Sequence, residues 1–573
     1  MEAQWTLTQN SPDDVQKLQN ALGLHWVTAE LLVARGLTTP ESAKSFLYPT
    51  LEDIHSPLLL AHMPVAVDRI AEAMRKQERI VIFGDYDVDG VTSASMLLGY
   101  FNLLQYPADY YVPSRSEEGY GLNCEAVKGI AAKGCGLLIT VDCGISDVAE
   151  IELARSLGVD VIVVDHHECS DDLPPAIAIL NPKVSGSSYP FRDLAAVGVT
   201  FKLVDALTAK VSVQMRGADD HIGFMREALG LAALGSVADV VPMRGENRVI
   251  VRYGMKALSE TRLPGLKALF DVSVKDHTNL RPWQIAFNLA PRINAAGRLG
   301  DAGIAIKLLT TEDSSLARDI AHDLDTQNRE RQKIEMGIYL NAVEKIHERF
   351  GDKRPKLIVL ADETWHTGVI GIVASRLVEQ YHCPVVLIAL NGEIGRGSAR
   401  SIPGYHVYDA FTACGAMLES YGGHAAAAGL VIKKEHIQEF SDALNSYTED
   451  AFAQRDLRPV LRLDARVRLD DITFRLIEEL ELMAPFGIGN PAPLLLLDDV
   501  KTAGEPRLMG ASGKHLSFRV MQGDTTMRAI AFNAGDRYED IKRHLTPVQL
   551  AFRPKVSDYS GRIELDVKAI KLI

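Results

Sequence analysis

Apolar and polar positions follow a different rhythm in each part of this chain. Between about residues 79 and 180, short runs that are apolar throughout (VIF, LLITV, VIVV) alternate with helical stretches such as TSASMLLGYFNLL. Runs without polar interruption suit strands of a parallel sheet covered by helices on both faces. Helical patterns continue from about 195 to 235. From about 312 to 350 there is no proline, no glycine before Gly337 and dense mixed charge, which predicts a long bridging helix. A second α/β unit follows, with KLIVLAD, a helix over Gly371–Glu379, PVVLIAL and then GRGSARS, a basic glycine-rich turn or phosphate loop. Beyond about 459 the rhythm becomes period two in VLRLDARVRL, HLSFRVMQ, MRAIAFN, VQLAFRPKV and RIELDVKAI. Such strands, broken by turn residues, favour a small antiparallel barrel of the OB type. The first 60 residues read as short helices, one capped by Thr39 with Pro40 at its first position.

The expected architecture is therefore α/β and multidomain: an N-terminal helical segment (1–60), a parallel-sheet catalytic domain (61–255), a connecting region with the long helix (256–350), a second α/β domain (351–455) and an OB-like β-barrel (456–573). A length of 573 residues agrees, being too great for one hydrophobic core. The start, MEAQWTLTQN, lacks the basic and apolar segments of a signal peptide, and no apolar run is long enough to span a bilayer. A cytoplasmic protein without membrane contact is expected. Six cysteines without a C-x-x-C pair argue against a disulfide framework or a cysteine zinc site. The net charge of −14 opposes a nucleic-acid role at first sight. Binding depends on the local field, however, so a groove of arginines can hold a strand while acids occupy other faces.

The chemistry concentrates in GDYDVDG at 84–90, where Asp85, Asp87 and Asp89 follow a buried strand. If the segment is extended, residues two apart share a side, and three converging carboxylates demand a cation. An EF-hand would need an acid at the twelfth loop position, which is Met96 counted from Asp85. Asp142 in TVDCGIS, Asp165 in VVDHH and Asp239 in GSVADVVP are read as the ends of further strands. Any one of them could be a cap or turn former; together with His166 and His167 they match a dinuclear site for Mn²⁺ or Mg²⁺. Adjacent side chains of an extended segment point apart, so His166 is the expected ligand and His167 a phosphate contact or proton donor. Zinc through His166, His167 and Cys169 lacks a second cysteine pair.

GDYDVDG, VDCGIS, VDHH and GSVADVVP resemble the four motifs of the DHH phosphoesterases. The resemblance implies that Asp87, Asp89, Asp142, His166 and Asp239 ligate two divalent ions, with Asp142 bridging them and Asp85 in the same cluster. PSRSEEGYGLN, PRINAAGRLGDA, WHTGVIGIVASRL, GRGSARS, GGHAAAAGL and PFGIGNPAP are similar to the RecJ exonucleases within that superfamily. That similarity implies removal of 5′-mononucleotides from the 5′ end of single-stranded DNA in recombination and repair, by a monomer working beside a helicase and single-strand binding protein. A phosphodiesterase of short oligonucleotides or cyclic dinucleotides is the alternative, and a non-catalytic single-strand scaffold a second.

Arginine forks and hydroxyls hold phosphate well, and Arg115, Arg292, Arg298, Arg396, Ser398, Arg400, Ser401, Gly423 and His424 are the expected substrate contacts. In the barrel, Arg519, Arg528, Arg553, Lys555, Tyr559 and Arg562 are of the type that tracks a single strand, and equally of the type that simply faces solvent.

Overall fold

Strands Arg79–Gly84, Ala108–Tyr111, Cys135–Val141, Asp160–Val164 and Ala178–Leu180 form an all-parallel sheet in a computed structural model that describes residues 3–115, 118–211, 218–453, 458–543 and 547–572. Val81, Phe83, Leu138, Val161 and Val163 pack on helices Cys124–Ala132 and Val148–Ser156. The other face is covered by Met63–Lys76, Val88–Leu103 and Ala196–Val211. Both faces are dry, which is why the strands carry no alternation. In space, Arg79–Gly84 lies between Ala108–Tyr111 and Cys135–Val141. The chain therefore reverses direction across the sheet between Arg79–Gly84 and Cys135–Val141, and the crevice at their carboxyl ends is where such sheets place ligands.

The bridging helix is Ser314–Phe350, capped by the Asp313 carboxylate, which accepts the N–H groups of Ser315 and Leu316. Its 37 residues span about 55 Å. The helix packs against Pro264–Ser273 and Ala290–Leu299, and then inserts Ile338, Ala342 and Ile346 into the core of the second α/β sheet. That sheet runs Leu418–Gly423, Ala427–Lys433, Ile394–Arg400, Val385–Asn391, Ile358–Asp362, with only the last pair parallel. The helix expected over Gly371–Glu379 extends over Thr367–Tyr381.

These elements form one compact unit, residues 55–241 and 253–457; the other unit comprises 1–54, 242–252 and 458–573. Its barrel closes through Leu495–Met509, His515–Gln522, Thr525–Ala531, Ile563–Leu572 and Val548–Val556, the last returning to pair with the first. VLRLDARVRL is not one strand. Val460–Leu463 pairs with Gln4–Leu7, and Ala465–Val467 with Leu495–Leu497. Asp464 divides them, its carboxylate accepting the Leu494 N–H at 2.7 Å. Leu18, Val27, Leu31, Leu32 and Leu47 are buried in the barrel's own core. From 242–252, Arg248 is fully buried and donates to the carbonyls of Phe46 (2.9 Å), Met483 (2.7 Å) and Leu482 (2.8 Å), capping helix Phe474–Leu482. Burial, then Arg252 and Arg35, lower its guanidinium pKa to about 9. Among the described residues no helix is long and apolar enough to cross a membrane.

Candidate metal centre and anion cleft

The chain leaves Arg79–Gly84 and turns at once into a helix. Asp87 is the N-cap of Val88–Leu103, its carboxylate accepting the N–H groups of Asp89 (2.8 Å) and Gly90 (3.2 Å). The expected extended segment at 85–89 is thus corrected. A helical first turn, not strand alternation, gathers these acids, because aspartate caps a helix as readily as it ends a strand. The turn is tight: a Cβ on Gly90 would lie 2.5 Å from the Asp85 carbonyl oxygen. Asp89 reaches the start of Ala196–Val211 and accepts the N–H groups of Ala196 and Val197, both at 2.8 Å. That helix terminus favours a negative charge.

Asp142 follows Cys135–Val141 in the left-handed region, with φ +63°. Asp239 follows helix Ala218–Ala238, so its expected position at a strand end is also corrected. Asp165 is turned away from the crevice and accepts the backbone N–H groups of Ile145, His166 and His167 and the His167 Nδ1–H at 2.7 Å. His166 and His167 do not diverge as adjacent strand residues would. The strand ends at Val164, and the two rings lie 4.5 Å apart.

The ligand atoms form linked groups. Asp85, Asp87 and Asp142 offer oxygens within 4.8 Å of one another, and the carboxylate oxygens of Asp89 and Asp239 lie equally close to each other and to a ring nitrogen of His166. His166 Nε2 joins the groups, 3.3 Å from Asp142 Oδ1 and 3.7 Å from Asp239 Oδ2. Asp142, His166 and His167 make a third such set. Burial pushes Asp85 and Asp142 well above the carboxylate range, reinforced by Asp87 and by Asp89 respectively. Burial and then Asp239 raise Asp89 to about 7; burial and then Asp87 raise Asp239 to about 7. Burial opposes charge on His167, yet the Asp165 carboxylate lifts it to about 9, and Asp165 falls to about 2 against its own burial. Asp85 Oδ1, Asp142 Oδ1 and His166 Nε2 are buried without a hydrogen-bond partner. Orphaned oxygens and an imidazole nitrogen among mutually repelling carboxylates fit hard divalent cations.

Beside this centre lies a cleft of about 860 Å³ lined by Tyr86, Arg115, Tyr120, Arg298, Arg396, Ser398, Arg400, Gly423 and His424. GRGSARS is not a turn but the strand Ile394–Arg400, and its period of two sets Arg396, Ser398 and Arg400 on one face. Ser401 is excluded from the cleft lining. It lies past the strand, and its hydroxyl donates to the Tyr405 carbonyl at 2.7 Å. Arg292 is likewise withdrawn, donating to Asp325 (2.9 Å) and the carbonyls of Asn288 and Val272. Arg298 points in, donating to the Gly368 carbonyl at 2.8 Å, and burial, then Arg115, Arg331 and Arg400, lower it to about 10. Burial and then Arg115 also lower Arg400. Guanidinium groups crowded together in this way can hold an anion of more than one charge.

Sequence reasoning passed over Tyr120, which lines the cleft and also reaches the acids. Its hydroxyl donates to the Asp142 carbonyl oxygen at 3.0 Å and lies 3.2 Å from His167 Nδ1. Burial, then Asp165 and Asp142, raise its phenol far beyond the usual range, so it remains a donor. The signal was five residues from the chosen Arg115, in the GYG of PSRSEEGYGLN. In the barrel, Arg528 is ion-paired with Glu564 at 2.9 Å and faces Arg519 across the ladder, while Tyr559 is wholly exposed.

A parallel sheet with acids and a histidine pair at its switch point, joined to a second sheet bearing an arginine cleft, defines a DHH phosphoesterase. The family model described as "DHH family, N-terminal domain" matches residues 79–236, the DHHA1 domain 354–450 and the RecJ OB domain 463–570. The chain is 38% identical over 539 residues to the single-stranded-DNA-specific exonuclease RecJ of Bacillus subtilis, covering 94% of this chain and 66% of that one. It is 35% identical over 533 residues to RecJ of Haemophilus influenzae, covering 90% of this chain and 92% of that one. The solved structure of Thermus thermophilus RecJ in complex with Mn²⁺ superposes with a TM-score of 0.83 at 29% identity, covering 99% of this chain and 79% of that one. The chain belongs to the RecJ family.

Proposed function

We propose that this chain is a metal-dependent, single-stranded-DNA-specific exonuclease that works from the 5′ end and releases 5′-mononucleotides. The observation that carries the reading is the adjacency, through the shared wall residue Tyr120, of orphaned carboxylates and a cleft lined by arginines with no ion pair among the described residues. Asp85, Asp87 and Asp142 would hold one divalent ion, and Asp89, His166 and Asp239 a second, with Asp142 between them. Two such ions, when bound, lower the pKa of water and offset charge on the scissile phosphate. Arg115, Arg298, Ser398 and Arg400 bind the terminal 5′-phosphate, whose greater charge distinguishes it from an internal diester; Arg396, Gly423 and His424 line the rest of that cleft. His167, oriented by Asp165 and carrying its proton at neutral pH, faces the same centre and can donate a hydrogen bond to a phosphate oxygen.

The barrel, read as a strand-gripping module, weighs against small cyclic or dinucleotide substrates as the main targets. A helicase that opens duplex and the protein that coats the freed strand are the partners this specificity calls for, in the recombination and repair of cytoplasmic DNA, and a monomer carries the complete centre. The test is digestion of end-labelled single- and double-stranded DNA with Mn²⁺, Mg²⁺ or chelator. Release of 5′-mononucleotides from single strands, dependent on metal, is expected. Faster turnover of a cyclic dinucleotide, or none of DNA, overturns the reading.

A further inference from the structure

We infer that Tyr120 is a positioning residue for the metal centre: it clamps the left-handed backbone of Asp142 and the ring of His167 at once, so that its hydroxyl sets divalent-ion affinity. The inference rests on the metal reading given above. Asp142 is the carboxylate common to two of the three ligand groups, and it is held with φ +63°, which a residue bearing a Cβ rarely adopts without support. Part of that support is its own N–H, which donates to the Val164 carbonyl at 3.0 Å, and part is the Tyr120 hydroxyl on its carbonyl oxygen at 3.0 Å. The second contact fixes the peptide plane beyond Asp142 and with it the direction of the carboxylate. The same phenol oxygen lies 3.2 Å from His167 Nδ1, and the two rings meet edge to face with centroids 5.8 Å apart.

Tyr120 is itself held from outside the centre. Gly121 follows with φ +82°, and a Cβ there would sit 2.9 Å from Asp147 Oδ2, the oxygen that accepts the Leu122 N–H at 2.9 Å. On the other side, Glu118 accepts the Ser114 N–H at 2.8 Å and bonds from the Tyr111 hydroxyl (2.7 Å) and Asn123 Nδ2 (2.8 Å). Both anchors are carboxylates outside the ligand groups found among the described residues, so the support of the phenol does not depend on a group that would hold an ion. Outer partners that orient metal ligands are typically worth about 10- to 100-fold in metal affinity or activity.

The test uses the full-length chain and Mn²⁺ alone, followed by electron paramagnetic resonance, with the native protein, Tyr120→Phe and Tyr120→Leu. Tyr120→Phe keeps the ring and removes only the hydroxyl. It is expected to weaken Mn²⁺ binding by about 10- to 100-fold, and to regain turnover when Mn²⁺ is raised in proportion. Tyr120→Leu loses the ring contact to His167 as well and regains less. Mn²⁺ affinity of Tyr120→Phe within about twofold of native overturns the inference, as does unchanged Mn²⁺ affinity with a raised KM, which makes the ring a DNA contact. A native protein that binds no Mn²⁺, or an Asp142→Asn variant that binds it as well as native, overturns the metal reading itself, a result told apart because it needs no Tyr120 variant.

Discussion

Arg400 and Arg292 show what a single residue discloses and what it hides. Both sit in basic, glycine-containing segments, yet Arg400 reaches the cleft while Arg292 is spent on Asp325, which stands 33 residues later on the bridging helix. Nothing local to PRINAAGR announces that partner. Arg400→Ala should lower the preference for 5′-phosphorylated over 5′-hydroxyl ends by about 10- to 100-fold, the worth of one or two charge-assisted hydrogen bonds. Arg400→Lys should restore only part, since a point charge replaces a fork. Competition between the two ends in one digestion measures it, and an equal loss on both would make Arg400 a general strand contact. The Asp165–His167 pair gives a second expectation. Asp165 is lowered to about 2, so its stabilisation is present above its ordinary pKa and lost as pH falls through about 2. His167 is raised to about 9, so its stabilisation is complete below its ordinary pKa and lost as pH rises through about 9. Asp165→Asn should therefore destabilise the metal-free protein most near pH 5 and least above pH 9. Urea unfolding in chelator at both pH values would show it; a pH-independent loss would mean that the backbone bonds to Asp165, not the ion pair, dominate.

At the scale of elements, strands were legible where chemistry left one choice. VIF, LLITV and VIVV could only be doubly covered strands, and the mixed-charge run before Phe350 only a helix. The errors fell where one residue type serves two structures. Asp87 follows a strand by three residues and caps a helix, and the glycines of GRGSARS read as a turn although neighbouring strands hold them in line. Arg248 exemplifies a contact that no periodicity reveals. It closes the end of helix Phe474–Leu482 from more than 200 residues away, satisfying the last carbonyls of that helix end. Arg248→Met keeps the bulk and removes every donor, and should cost the barrel unit on the order of 3 kcal/mol or more from the carbonyls left unpaired. Denaturation followed by a probe in 458–573 measures this; a loss below about 0.5 kcal/mol, the level of ordinary surface substitutions, would show that water replaces the guanidinium.

The whole molecule divides less simply than its sequence suggests. Residues 1–60 were expected to stand apart, but 1–54 share the barrel's core, and hydrophobic patterning carries no record of which distant stretch completes a face. Deleting 458–573 should accordingly do more than weaken grip and processivity on long strands. It should lay bare Leu18, Leu31 and Leu32, so that limited proteolysis cuts within residues 1–54 of the truncated protein and spares them in the intact one. Equal protection in both would mean that the helical segment folds alone. The shared core also bears on how the protein comes into being. Leu31 emerges from the ribosome more than 400 residues ahead of Leu495, its companion in that core. At about 5–20 residues per second the wait is roughly 25 to 90 seconds. Throughout synthesis of the catalytic half, a greasy amphipathic segment must go without its natural cover, which makes it the part of the nascent chain where a chaperone has most to protect.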